Sequence, residues 1–542
     1  MGKHPDYGEV RRGVSSCKDL ILPTYISAAA TAEAFLLERR DLLDQECIRC
    51  RLFGGRTEFF VNIKKAKKQI RDALELYLKE DRWGEPWIPE SEQRPIVLMG
   101  PPGIGKTAVV SQLAEEMELA FVSYSMTHHT RQSALGLPEI STKEYDGRTY
   151  TVTDYTMSEI IASVFEAMER TGIPRGILFL DEINCVSETL VPAMLQFLQF
   201  KTFGRHRLPK GWILIAAGNP PEYNRSARDF DVVTWDRVRR MDIEPDLSAW
   251  NQYMAEKGLH PAVHAYLMQK PDRFYRMNRT VDGTGFVTAR GWSDLGGMLT
   301  AMENAGFSPD RDLIGQYLQE TDTAGDFFSF YRLFMKYRED YQIDRILGGR
   351  EDPVIRERAA AAPFDERIRL LAMLNGALSK GFRAVVREEE ILGLIYESLV
   401  RIRDGEDIAA VREEAEKSFE RQQILGGPEG RRTVRERERA AFLDAMTEYE
   451  DGKEAFLQRT AVLDERAEAE GRKLAEVFSF SEKVWGEGQE MLLLMSELTA
   501  DPYASAFIGL YGSPDYRRHS ELLSFGERGS EIRKEIRALR AL

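Results

Sequence analysis

Cysteine is scarce in this chain. Four in 542 residues (Cys17, Cys47, Cys50 and Cys185) are too few to staple a protein of this length. Cys47-Ile48-Arg49-Cys50 is a single C-x-x-C with only Cys17 nearby. A zinc site ordinarily needs a second pair, so two small residues on a helix are the expectation. Long hydrophobic runs are missing as well, and no stretch is long enough to span a bilayer. Met1-Gly2-Lys3-His4-Pro5-Asp6 lacks the apolar core of a signal peptide, and the expected compartment is the cytoplasm. Positive charge is in deficit, with 74 Lys and Arg against 88 Asp and Glu for a net charge of −14. That balance makes nucleic acid an unlikely general partner, although it leaves a local basic channel open. Apolar residues are not lacking: at 43% they suffice for packed cores, and the length allows about three or four domains.

What is present is organised around one stretch, Gly100-Pro101-Pro102-Gly103-Ile104-Gly105-Lys106-Thr107. It matches the phosphate-binding pattern G-x-x-x-x-G-K-[ST] in full. Pro95-Ile96-Val97-Leu98-Met99 before it suits a buried parallel strand, and Ala108 to Glu116 after it suits a helix with an apolar face. Strand, glycine loop and helix together point to a site where backbone N–H groups curl around phosphate oxygens at a helix N-terminus. The set expected to hold nucleotide runs from Gly100 through Ala108. Lys106 is expected on the β- and γ-phosphates and Thr107 on Mg²⁺.

A second landmark is Ile177-Leu178-Phe179-Leu180-Asp181-Glu182, a buried strand with two carboxylates at its C-terminal end, where open α/β sheets bind ligands. Asp181 suits a role on Mg²⁺, and Glu182 suits polarising an attacking water. A third is Trp212 to Pro220, a strand ending in Asn219, placed to orient that water. Without the phosphate loop, the acidic pair would read as a helix cap and Asn219-Pro220 as a turn.

Between these landmarks a polar start gives way to a helical segment to about Gly55, and a second helix is expected from Thr57 through Tyr77. Trp83 to Pro89 reads as a stiff linker, and Ala120 to Ser125 as a strand. Asp146-Gly147, between alternating aromatic and β-branched residues, signals a hairpin within an excursion from Leu135 to Tyr155. Helices are expected over Ser158 to Arg170 and Leu190 to Phe200, with a basic hairpin over Lys201 to Lys210. Past Asp340, Gly348-Gly349 and Ala359 to Pro363 read as loops or a linker. Ile368 to Leu378, Glu389 to Ile402, Ile408 to Gln423 and Thr433 to Val477 read as helices. No sustained heptad appears there, so a helical bundle is expected rather than a coiled coil. Met491 to Met495 suits a core.

Phosphate loop, apolar strand with Asp181-Glu182, strand with Asn219-Pro220, and Thr234-Trp235-Asp236-Arg237-Val238 follow in an order that resembles an AAA+ ATPase. The two hairpins make it similar to the MoxR-like branch, and the resemblance covers roughly Ile63 to Asp340. It implies a P-loop NTPase (AAA+) fold: an α/β parallel-sheet core over 63–244 and a helical lid over 245–340. An N-terminal helical segment (1–62) and a C-terminal all-helical module (341–542) flank these. It also implies that Asn219 is sensor 1 and that Arg290, in Thr288-Ala289-Arg290-Gly291-Trp292, is sensor 2. Arg237 would be the arginine finger completing a neighbour's site. The family commonly has an aromatic after Asp-Arg, where Val238 stands here, so Arg239 and Arg240 remain alternatives to Arg237.

The activity implied is ATP hydrolysis with Mg²⁺ in a homo-oligomeric ring, commonly a hexamer. Such rings remodel a protein client, often beside a von Willebrand factor A-domain protein. Two other readings compete. One is a DNA-directed motor gripping through Arg205, His206, Arg207 and Lys210; the other is an ATP-gated scaffold, against which an intact Glu182 speaks. Nothing in the residues separates ATP from GTP or names the client.

Overall fold

The computed structural model describes residues 60–128, 136–203, 205–224, 226–280, 283–426 and 430–520. The expected N-terminal helices and Cys17, Cys47 and Cys50 lie outside these residues. Twelve strands occur in the described chain. They are β1 (Phe60–Asn62), β2 (Ile96–Met99), β3 (Ala120–Ser125), β4 (Pro138–Tyr145), β5 (Arg148–Tyr155) and β6 (Gly176–Asp181), followed by β7 (Thr202–Phe203), β8 (His206–Arg207), β9 (Trp212–Gly218), β10 (Arg239–Glu244), β11 (Arg276–Thr280) and β12 (Gly283–Val287).

Six of them form one sheet in the order β1-β10-β2-β9-β6-β3, and every pairing is parallel. Alternation along β6 explains the unbroken apolar sequence. Ile177 and Phe179 enter one core with Ile70, Leu113 and Ile215, while Leu178 and Leu180 enter the other with Ile160, Val164 and Phe197. A strand covered by helices on both faces has no polar side to show. Because β2, β9 and β6 are neighbours, the loops leaving their carboxyl ends converge on one place.

The chain joins this sheet earlier than its sequence suggests. Where a helix was expected from Thr57, Phe60–Asn62 pairs with Asp242–Glu244 as an edge strand. The helix begins at Ile63, capped by the Asn62 side chain on the Lys65 N–H (2.8 Å). Both expected hairpins are present. Asp146 (φ 51°) and Gly147 (φ 71°) are both left-handed, the turn that matches strand twist in a two-residue hairpin. The shorter β7–β8 hairpin lies beside β4–β5: Arg205 pairs with Asp154 (2.9 Å), and His206 Nε2 lies 3.1 Å from the Tyr155 carbonyl.

Beyond β10 the chain is mostly helical, as expected for the lid, with one short hairpin inside it. β11 and β12 form it, paired antiparallel. Ala359 to Ala361, expected to begin a loop or linker, instead end the helix Pro353–Ala361, whose Ile355 and Ala359 are buried. Two expected helices are one 40-residue helix, Phe364–Arg403. Conversely, the stretch expected as one helix from Thr433 to Val477 is two, Arg431–Ala445 and Tyr449–Trp485. Lid and C-terminal helices share a single apolar cluster running from Trp250 and Trp292 through Phe382 to Phe507. The break at residue 340 is therefore not a break in packing: the helix Thr321–Tyr341 crosses it, and its Phe330 packs in the same cluster as Leu370.

Candidate functional site

The phosphate loop leaves β2 and feeds the helix Lys106–Glu116, whose N-cap Gly105 sits at φ 93°. Gly100 and Gly103 are demanded by space. A Cβ on Gly100 would lie 2.5 Å from the Ile243 carbonyl oxygen, and one on Gly103 would press on Thr288 of the lid. Around Gly105 a Cβ meets nothing within 4 Å, so the turn is open on the side where phosphate would approach. Ile104, Thr107 and Ala108 follow the curve, with Thr107 and Ala108 in the first helical turn.

Lys106 is buried, and its ammonium donates to the carbonyls of Gly100 (2.8 Å) and Pro101 (2.9 Å) and to Asn219 Oδ1 (2.9 Å). Burial lowers its pKa to about 8, against the attraction of Asp181, and Arg290 pushes in the same direction as burial. Thr107 donates its hydroxyl to Asp181 Oδ2 (3.0 Å), which brings the expected metal pair together. The other Asp181 oxygen, Oδ1, accepts from the Glu182 N–H (2.9 Å). Glu182 occupies the left-handed region at φ 54°, uncommon for a residue with a Cβ. Such a conformation costs about 1–3 kcal/mol and persists where surrounding structure imposes it.

Lys106, Thr107, Asp181, Glu182 and Asn219 are thus gathered at one edge of the sheet. Arg290 joins them from the lid: its backbone N–H donates to the Gly103 carbonyl (3.2 Å), and its side chain is exposed beside Lys106. Arg237 stays apart. It ends the helix Val232–Arg237, exposed, without an ion pair among the described residues. Of its rivals, Arg240 is engaged with Asp242 (2.8 Å) and with the Trp235 ring (4.5 Å), and Arg239 is half-buried at the start of β10. Neither Arg237 nor Arg239 has an ion pair among the described residues, and Arg237 is the more exposed of the two.

Sequence reasoning missed two residues. Asn184 is buried and clamps the backbone of Asn219: its Nδ2 donates to the Asn219 carbonyl (2.8 Å), and its Oδ1 accepts the Asn219 N–H (3.3 Å). Its only sequence signal was its place three residues after Asp181. Tyr275 donates its hydroxyl to the Pro102 carbonyl (2.9 Å), and burial holds its phenol well above the usual range. Nothing in the sequence linked a lid tyrosine to a loop 173 residues earlier. Cys185 lies close by, and burial together with Glu182 and Asp181 raises its thiol pKa, so it remains a neutral thiol.

This donor set fits a nucleoside triphosphate with a divalent cation: loop amides, a buried ammonium, and a hydroxyl against a carboxylate. Residues 96–231 match the profile of the ATPase family associated with various cellular activities (AAA), and these residues form an AAA ATPase domain. No curated protein matches the chain. Among solved structures, a candidate ATPase of Cytophaga hutchinsonii is similar at 18% identity and TM-score 0.23. That match covers 41% of this chain and 57% of the Cytophaga protein. Two mutant forms of RuvB from Thermotoga maritima are similar at 15% and 14% identity, with TM-scores of 0.27 and 0.26. They cover 49% and 50% of this chain and 68% and 70% of their own. These superpositions are partial, and the fold rests on the strand order and the loop geometry. Among the described residues no helix is long and apolar enough to cross a membrane.

Proposed function

We propose that this chain is a MoxR-like AAA+ ATP hydrolase that works as a homo-oligomeric ring, hexameric by analogy. Its cycle would remodel or activate a protein client, with a von Willebrand factor A-domain protein as the expected partner. The observation that carries the reading is the contact of Thr107 with Asp181 beside a buried Lys106, with Glu182 next in the chain. Lys106 and the loop amides would bind the phosphates, while Glu182 accepts a proton from the attacking water. Mg²⁺, held by Thr107 and Asp181, would neutralise phosphate charge. Asn219 and Arg290 would report on the γ-phosphate. Arg237, free and exposed, would complete the site of the next subunit.

Two further features support a protein client. Both family-like hairpins are in place, and β4–β5 exposes Ile140 (77%), Tyr145 (55%) and Tyr150 (47%). The DNA-directed reading finds no support in its expected contacts. Arg205 pairs with Asp154, Arg207 with Glu90 (2.8 Å) and Lys210 with Glu85 (3.6 Å), while His206 meets the Tyr155 carbonyl. The experiment is light scattering of Glu182→Gln protein with and without ATP and Mg²⁺, alongside wild-type turnover. A ring that forms with ATP, and turnover that is lost in the mutant, are expected. A monomer indifferent to nucleotide, with turnover unchanged by Glu182→Gln, would overturn the proposal.

A further inference from the structure

Among the described residues, the lid joins the α/β core through one stretch of chain, between the end of β10 at Glu244 and the helix that starts at Leu247. A body hung from a single connection can swing about it unless other contacts hold it. One set of contacts lies at the phosphate loop, where Tyr275 and the Arg290 N–H bond the carbonyls of Pro102 and Gly103. A second set comes from the helices Ile408–Gly426 and Arg431–Ala445.

These two helices pack on each other, and the first also packs on the helices Lys106–Glu116 and Glu159–Thr171 of the α/β core. Val411, Ala415, Ala440 and Leu443 are buried in the apolar cluster shared by the lid and the C-terminal helices. Arg439 donates to the Ser398 hydroxyl (2.7 Å), and Arg431 and Arg435 hold Glu390, which fixes the pair to the helix Phe364–Arg403. Leu425 does not belong to that cluster. It is buried in the core of the α/β half together with Ile160 and Val164. Beside it, Arg421 pairs with Glu118 (3.4 Å), and Arg432 donates to the carbonyls of Glu115 and Glu116. One helix therefore has side chains in both cores, and the pair bridges two bodies.

The two holds are unequal. On the lid side the bridge has four packed apolar side chains and three engaged arginines. On the core side it has one leucine, one guanidinium on two carbonyls, and ion pairs to the half-exposed Glu118, and such pairs are worth little each. When the bodies part, the core side lets go first. Its grip falls at the C-terminal end of the helix Lys106–Glu116, about 16 Å along from the phosphate loop at about 1.5 Å per residue. Two attachments that far apart oppose a rotation that neither stops alone.

We propose that the helices Ile408–Gly426 and Arg431–Ala445 form a strap that latches the lid over the phosphate site, and that release at Leu425 gates the exit of bound nucleotide. This rests on the nucleotide reading of the site and adds what controls departure from it. A contact made only while the lid is closed shifts the balance between open and closed by its own strength. Lid opening, rather than chemistry, limits turnover in many enzymes.

The test is stopped-flow release of N-methylanthraniloyl-ADP from the full chain with Mg²⁺, chased with unlabelled ADP. Leu425→Asp protein is expected to release it about tenfold or more faster than wild type, the scale of exposing one buried leucine. Arg421→Glu/Arg432→Glu protein keeps every apolar contact and is expected to release faster as well. Lys417→Glu lies on the same helix, exposed and paired with Glu413, and is expected to release at the wild-type rate. Wild-type protein that does not bind the labelled nucleotide would overturn the site reading and the strap together. Unchanged release from the arginine variant overturns the strap and leaves the site standing, whether or not Leu425→Asp folds. Equal acceleration by Lys417→Glu would overturn the strap too, since release would then answer to charge alone.

Discussion

Lys106 is held by three oxygen acceptors in a place that disfavours its charge, and its pKa of about 8 follows from that burial. Bound phosphate would raise this value, so nucleotide binding takes up a proton wherever free Lys106 is neutral. Affinity is therefore expected to be flat below pH 8. Above it, affinity should fall by up to about tenfold per unit until the bound-state pKa is reached. Equilibrium binding of labelled ATP between pH 7 and 10 measures this, and Lys106→Met should remove both the affinity and its slope. Asn184 acts one layer further out. Asn184→Ala leaves the Asn219 N–H and C=O without their buried partners, at a cost of about 1–3 kcal/mol. Turnover is expected to drop about tenfold or more with KM for ATP little changed, because Asn219 would be misplaced while the phosphate loop stays intact. The phosphate loop, Asp181, Glu182 and Asn219 were legible in the sequence because each sits at the end of an apolar strand and shows its chemistry in consecutive residues. Asn184 and Tyr275 were not, because their roles are contacts to backbone atoms of other loops.

At the scale of elements, the helix Lys106–Glu116 is gripped at both ends by the part of the chain beyond β10. Near its start, Tyr275 and the Arg290 N–H bond the carbonyls of Pro102 and Gly103. At its end, the Arg432 guanidinium donates to the carbonyls of Glu115 (3.1 Å) and Glu116 (3.4 Å), where a helix leaves acceptors unsatisfied. Arg421 pairs with Glu118 (3.4 Å), and Leu425 enters the core of the α/β half. Tyr275→Phe is expected to raise KM for ATP about 3- to 10-fold, the range of one net hydrogen bond. Arg432→Ala should cost about 1–2 kcal/mol of stability and speed amide exchange at the end of the Lys106–Glu116 helix. Unchanged exchange there would show that Arg432 does not hold the helix. Helix lengths were the part of this layer least open to sequence reasoning. The break between Arg431–Ala445 and Tyr449–Trp485 falls at Met446 to Glu448, which carry neither glycine nor proline.

Across the whole molecule, lid and C-terminal helices behave as one packed body rather than a lid with an appendage. Truncation after Leu347 would expose Phe330, Phe334 and Ile346, which are buried in one apolar cluster with Leu370 and Leu374. The shortened chain is expected to aggregate or lose the cooperative unfolding of its lid, as seen by calorimetry. A soluble, cooperatively folded fragment would show two separate cores. The body is also acid-sensitive at one point. Burial would raise the Glu303 pKa, but His260, Tyr331 and Arg338 together hold it at about 2. A carboxylate depressed in the folded state stabilises above its unfolded value of about 4.3, and that contribution is lost as pH falls from there toward 2. Glu303→Gln should flatten that part of the acid-denaturation curve.

What the sequence determined by itself is local and periodic. It includes the phosphate loop between strand and helix, the acidic pair after Leu180, the Asp146-Gly147 turn and the parallel strands whose apolar runs mark burial on both faces. Consecutive residues suffice for these because backbone geometry and hydrophobic burial act over a few positions. The tertiary structure alone decided which strand stands beside which and that Phe60–Asn62 extends the sheet. It alone paired the basic hairpin residues with Asp154, Glu90 and Glu85 and merged the lid with the helices after residue 341. Those outcomes depend on contacts between residues far apart in the chain, and neither propensity nor spacing carries that information.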